Sequence, residues 1–350
     1  MSVWAGERIP VIALTGYLGA GKTTLLNHLL RQPGARVGVV VNDFGDINVD
    51  AALVRGQIDE PASISGGCVC CLPDGGGLDE ALRKLAHPRL ALDVVIVEAS
   101  GIAQPGSLAR LIQYSGVERV RVGGVVDVVD AVEYFRTVDT GALVPARFSV
   151  ASLVVLNKCD QLPDSDREET LSRIERRIRG ANPDVHIVRT SLGRVDPSLV
   201  YDVASLEDPD DQLPIGALLR AAQSVDGHGS HRHGSHEHAR AVSARSVGTA
   251  DPGRVVDVLE APPAGAYRLK GRIAVRTGRG VAVYVVNVVG RSIHVARAAR
   301  SGEPASELVA VGLHLDEDDA RPSLERALEP SAGVGQVGLA RLRRLARASA

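Results

Sequence analysis

Two stretches of this 350-residue chain hold residue types at spacings that do chemistry. Gly16-Tyr17-Leu18-Gly19-Ala20-Gly21-Lys22-Thr23 fits G-x-x-x-x-G-K-[ST], and it lies between a β-branched run and a helical pattern, the context that motif needs. Its glycines let backbone N–H groups curl around phosphates, and the helix that follows adds partial positive charge. Lys22 is suited to the β- and γ-phosphates and the Thr23 hydroxyl to Mg²⁺, with Gly16, Gly19, Ala20, Gly21 and Thr24 completing the nucleotide cradle. Downstream, Cys68-Val69-Cys70-Cys71 gathers three of the four cysteines behind the pair Gly66-Gly67. Three thiolates within one turn of chain favour Zn²⁺ or another borderline metal, and three protein ligands leave a position open for transfer.

Base choice is read from Asn157-Lys158-Cys159-Asp160. A carboxylate at Asp160 can accept both the N1 and N2 protons of guanine, a donor pair that adenine lacks. Asn157 can hold the pocket, the Lys158 stem can lie over the base, and Thr190-Ser191 can offer a backbone N–H to O6. Cys159 reads as a small half-buried residue. Asp93–Gly101, DVVIVEASG, is a buried strand running into Glu98, assigned to Mg²⁺ or its bound water, and Gly101, assigned to γ-phosphate sensing. Asp43 and Asp46, in Asn42-Asp43-Phe44-Gly45-Asp46, either position a water or a second metal or form a solvated turn. Asp127 is open between a cap and a functional role.

These side chains need a scaffold. Through the first two-thirds of the chain short apolar runs alternate with helical patterns, which predicts a parallel sheet covered on both faces. Strands are expected over 9–15, 36–41, 93–97, 121–127, 152–156 and 185–190, and helices over 23–30, 78–86, 105–113 and 165–179. Residues 226–240, DGHGSHRHGSHEHAR, hold five of the ten histidines and read as a flexible linker, either gathering metal for the cysteines or simply solvated. Beyond it, alternation over 266–276, 281–289, 292–297 and 307–313 predicts an antiparallel sheet, with a helix over 323–328. Residues 338–350 carry leucines at helical spacing among arginines, read most simply as an amphipathic helix docked on the body, with binding to an acidic client as the alternative. The fold expected is α/β, a P-loop NTPase domain with a mainly parallel sheet (1–225), then a His-rich linker (226–250), a small α+β domain (251–330) and a basic tail (331–350).

A net charge of −2 gives no global argument for nucleic acid or membrane binding. There is no run of about 18 uncharged apolar residues, and no secretory signal is read at the N-terminus. A cytoplasmic protein with reduced thiols is therefore expected.

GYLGAGKTTLLNHLL (16–30), VVNDFGDINVD (40–50), GGCVCC (66–71), VIVEASGIAQP (95–105) and LNKCD (156–160) together resemble the CobW-like family of P-loop GTPases, in the class of the nickel and cobalamin-pathway GTPase chaperones. The His-rich linker, RLKG (268–271) and VAVGLHLD (309–316) extend the resemblance over nearly the whole chain. It implies a GTPase, for which the residues offer Lys22, Asp43 and Glu98 as the catalytic set, with slow intrinsic turnover expected because the sequence places no arginine clearly near the γ-phosphate. Such a protein binds GTP or GDP with Mg²⁺, loads Zn²⁺ or Co²⁺ at Cys68, Cys70 and Cys71, where water or a carboxylate such as Asp46 is expected in the remaining position, and delivers the metal to a client protein. Assembly is left open between monomer and homodimer. The rival reading is a zinc buffer in which nucleotide only stabilises the fold.

Overall fold

The computed structural model describes residues 8–32, 35–41, 62–63, 76–99, 104–141, 145–201, 239–299 and 303–349. Seven parallel strands form the first sheet in the order β3-β2-β4-β1-β5-β6-β7. They are β1 (Ile9–Gly16), β2 (Val37–Val41), β3 (Ala62–Ser63), β4 (Val94–Glu98), β5 (Val120–Asp130), β6 (Leu153–Asn157) and β7 (His186–Arg189). Strand residues alternate between two cores. Ile12, Leu14, Val39 and Ile96 pack on Leu25, Leu26 and Leu29 of α1 (Lys22–Leu30). On the opposite face Val11, Ala13, Val95 and Val97 pack on α2 (Gly76–Leu85) and α3 (Pro105–Gln113). Near-continuous apolar strands are what a sheet buried on both faces requires. Each fully buried Leu or Ile here contributes about 1.5–3 kcal/mol, and together they fix the loops at the strands' carboxyl ends.

The second sheet is antiparallel, in the order β11-β10-β9-β12-β8. Its strands are β8 (Arg240–Val247), β9 (Arg268–Thr277), β10 (Gly280–Val289), β11 (Ser292–Ala298) and β12 (Ala305–Gly312). Residues 240–247, expected within the linker, are thus a paired strand. Val242 and Ala244 face the core while Ser243 and Arg245 are exposed, a period of two that its small residues disguise. A helix over Pro252–Glu260, absent from the sequence reading, starts where the Asp251 carboxylate accepts the Gly253 and Arg254 amides and Pro252 occupies the first turn. The helix expected over 323–328 begins earlier, at Glu317, under the Asp316 cap. The helix Gln336–Ala348 buries Leu339 and Leu342 in the core under the antiparallel sheet, as the leucine spacing of the tail predicts.

The two sheets meet. Tyr267, Val289 and Leu313 join the core beneath β1 and α1, and the Tyr267 hydroxyl lies 3.3 Å from Ser152 Oγ. His186, at the start of β7, packs its ring 4.7 Å from that of Tyr267. Among the described residues no helix is long and apolar enough to cross a membrane.

Candidate functional site

β1 ends at Gly16, and the chain turns through Tyr17–Gly21 into α1. Gly16 has φ +148°, and a Cβ there would come 2.4 Å from the Val128 carbonyl oxygen. Gly21 has φ +102°, and a Cβ would meet Asn157 Nδ2 at 2.3 Å. Only glycine serves at either position. The Ala20 amide donates to the Tyr17 carbonyl at 3.1 Å, closing the loop. Lys22, 8% exposed, folds back so that Nζ donates to the carbonyls of Gly16 (3.1 Å) and Tyr17 (3.3 Å). No side chain caps the N-terminus of α1. Its first amides are thus left for an anion, where the helix dipole favours one. Gly19 and Thr24 are exposed at the rim, while Ala20 is buried.

The neighbouring strand brings up the carboxylate. β4 pairs with β1 at Leu14↔Glu98, and the Thr23 hydroxyl donates to Glu98 Oε1 at 3.2 Å. Glu98 is 3% exposed. A hydroxyl and a carboxylate side by side under a phosphate loop form an all-oxygen donor set of the kind Mg²⁺ takes, so these residues fit the ion.

On the other side, Asn157 ties two loops together. Its Nδ2 donates to the Ala20 carbonyl (2.9 Å), and its Oδ1 accepts the Gly193 amide (3.0 Å). Asn157 therefore joins the phosphate loop to the loop after β7. Lys158 takes the left-handed conformation (φ 61°), and its ammonium pairs with Asp130 Oδ2 at 2.6 Å. Asp160 lies exposed on the turn Cys159–Gln161. Thr190 does not offer its amide to a base, because that N–H already donates to the Leu156 carbonyl (2.8 Å); Ser191 is the partly exposed residue beside it. The buried Cys159 thiol donates to the Leu156 carbonyl, and burial pushes its pKa up to about 11, which leaves it an inert packing residue. His28 Nε2 hydrogen-bonds the Val195 carbonyl at 3.0 Å, and burial lowers its pKa, a structural tie between α1 and the same loop.

Asp43, Asp46, Cys68, Cys70, Cys71, Gly101 and the linker histidines lie outside the described residues. Among the described residues no cluster of three or more His, Cys, Asp or Glu is arranged to hold a metal.

Three residues at this site were not singled out from the sequence. Asp130 anchors Lys158, and Gly193 (φ +63°) packs its backbone against Leu25, since a Cβ would lie 2.8 Å from the Leu25 nitrogen. Arg147 grips Asp127 bidentately, Nη2 donating at 2.6 Å and Nε at 2.7 Å. Asp127 thus serves as a buried ion-pair partner. Burial, the largest single effect, works against the Arg147 charge, but the Asp127 hydrogen bonds, the Asp127 charge and Tyr17 together outweigh it, so its pKa stands above the ordinary arginine value. Asp130 had a signal, as the second acid in a strand-end Asp-Val-Val-Asp. Arg147 had none, because it reaches Asp127 across a loop.

Comparison with known proteins agrees with this architecture. Residues 10–189 match the model of the CobW/HypB/UreG nucleotide-binding domain, and residues 239–328 match the cobalamin synthesis protein cobW C-terminal domain. The zinc chaperone YjiA of Escherichia coli is 31% identical over 201 residues, covering 55% of this chain and 61% of that protein. The zinc-regulated GTPase metalloprotein activator 1 of Schizosaccharomyces pombe is 32% identical over 214 residues, covering 58% of this chain and 50% of that one. The chain therefore spans between 50% and 61% of the length of these two curated relatives. The crystal structure of Zn(II)-bound YjiA GTPase from E. coli superposes with a TM-score of 0.41 at 20% identity, over 92% of this chain and 99% of that one.

Proposed function

The chain belongs to the CobW/HypB/UreG family of nucleotide-binding proteins, and we propose that it is a GTPase whose nucleotide cycle drives the loading and delivery of a transition metal, zinc first and cobalt second, to a client protein. The observation that carries this reading is the convergence of Lys22, Thr23, Glu98 and Asn157 on one loop, with Thr23 and Glu98 3.2 Å apart. A carboxylate held beside the Thr23 hydroxyl supports this reading over a buffer in which nucleotide only stabilises the fold.

Each group has a task in this reading. The α1 amides and Lys22 neutralise the phosphates, with the ammonium exchanging the Gly16 and Tyr17 carbonyls for phosphate oxygens. Thr23 and Glu98 hold Mg²⁺, which when bound supplies charge neutralisation at the β- and γ-phosphates. Asp160 takes the guanine N1 and N2 protons, and Ser191 offers its amide to O6. Asp43 orients the attacking water and Gly101 senses the γ-phosphate. Cys68, Cys70 and Cys71, with Asp46, bind the zinc or cobalt that is the cargo. Thiols must lose their protons to bind it, so loading weakens as pH falls.

A Co²⁺ titration tests the cargo site. A thiolate charge-transfer band is expected in the intact protein and not in a Cys68/Cys70/Cys71→Ser triple variant. A band that survives the triple substitution unchanged removes these cysteines from the site.

A further inference from the structure

Asp127 and Arg147 form an ion pair that is almost entirely buried, the two side chains being 0% and 9% exposed. A bidentate Arg–carboxylate pair in that setting is rigid and directional. Asp127 is fixed in turn, since Oδ1 accepts the Thr15 hydroxyl at 2.8 Å from the last residue before the phosphate loop. The Arg147 guanidinium carbon lies 4.5 Å from the centroid of the Tyr17 ring. Tyr17 is the residue on which the loop closes: its carbonyl accepts both the Ala20 amide and the Lys22 ammonium. A continuous path therefore runs from Asp127 through the guanidinium and the ring to the backbone oxygen that holds Lys22.

We propose that Arg147, locked by Asp127, is a positioning residue for nucleotide binding: it pins the Tyr17 ring and so keeps the Tyr17 carbonyl, Lys22 and the Ala20 amide in register to receive the phosphates. Its assigned role is to hold Tyr17: Asp127 takes Nε and Nη2 of the guanidinium, whose carbon sits over the Tyr17 ring. The flat face of the guanidinium, stacked on the ring, is what matters, and lysine does not reproduce it. This inference rests on the reading that the phosphate loop binds a guanine nucleotide.

A double-mutant cycle on GDP·Mg²⁺ affinity in the full chain tests it. Tyr17→Leu and Arg147→Lys are each expected to weaken binding about fivefold, the size of one stacked cation–π contact. The double variant is expected to lose about the same fivefold rather than the product, because both changes break one link. Tyr17→Phe keeps the ring and restores binding to within about twofold. Tyr17 is 36% exposed, so its truncation opens no core cavity, and an unchanged melting temperature of the nucleotide-free Tyr17→Leu protein separates positioning from stability. If Arg147→Lys does not fold, the comparison of Tyr17→Leu with Tyr17→Phe decides alone. Multiplicative losses in the cycle, or wild-type affinity in Tyr17→Leu, overturn the inference while the GTPase reading stands. A wild-type protein that binds no GDP overturns both.

Discussion

Asn157 is the side chain whose loss the geometry makes most costly. It is 2% exposed, and its amide satisfies two backbone groups, the Ala20 carbonyl at 2.9 Å and the Gly193 amide at 3.0 Å. In Asn157→Ala both groups lose their partner while still buried, at about 1–3 kcal/mol each, so about 2–6 kcal/mol in total. Against a stability of about 5–15 kcal/mol this is a large fraction. In urea, with a slope of about 2 kcal/mol per molar, the midpoint should fall by about 1 M or more. Asn157→Asp sharpens the test. It keeps an acceptor for Gly193 but sets a carboxylate oxygen against the Ala20 carbonyl, so the phosphate loop alone is disturbed. Urea unfolding followed by circular dichroism measures the first effect, and GDP affinity measures the second, expected to drop at least tenfold in both variants. A midpoint and a GDP affinity both equal to wild type in Asn157→Ala would refute the view that this amide holds the two loops together.

Glu98→Gln is expected to lower GTP turnover at fixed Mg²⁺ at least tenfold while leaving Mg²⁺-free GDP binding within about twofold, since the carboxylate acts through the cation; equal losses in both assays contradict that role. Asp160→Asn should move preference from GDP toward xanthosine diphosphate, whose N1–C2 edge presents an acceptor where guanine has a donor, and competition binding reads the ratio. His186 and His294 set the acid limit. Burial is the main cause lowering both pKa values to about 4, helped by His314 and Arg179 for the first and by Arg121 and Arg8 for the second. The unfolded chain takes up these protons near pH 6.5, so the stability they allow is present at pH 7 and is lost as pH falls from about 6.5 toward 4. The urea midpoint should be lower at pH 5 than at pH 7, with the difference reduced in His186→Gln; an unchanged or higher midpoint at pH 5 contradicts the sign.

Much of the nucleotide domain could be read from the residues. A run such as Val94-Val95-Ile96-Val97 has no polar face, and it sits buried in the sheet as that demands. The phosphate loop is legible because only glycine tolerates the conformation at Gly16 and Gly21. What escaped is of two kinds. Strand Arg240–Val247 turns only Val242 and Ala244 inward from a Ser- and Arg-rich sequence next to a Gly/Ser/His stretch, so its alternation was swamped by composition. The Asp127–Arg147 pair and the clasp of Asn157 on Gly193 are contacts between loops. They depend on strand order, which places β5 beside β1 and β6 beside β5, and no local pattern encodes that. Thr190 shows the converse: its position suggested a base contact, and sheet hydrogen bonding had already used its amide.

The central proposal is that nucleotide state sets metal affinity. Zinc affinity and stoichiometry of the full chain, measured with GTP·Mg²⁺, with GDP·Mg²⁺ and without nucleotide, test it most directly. One tight site is expected, tighter with GTP than with GDP by at least fivefold, and by linkage zinc must tighten GTP binding by the same factor. Equal zinc affinity in all three states would contradict a nucleotide-driven metal carrier and leave a passive zinc-binding protein.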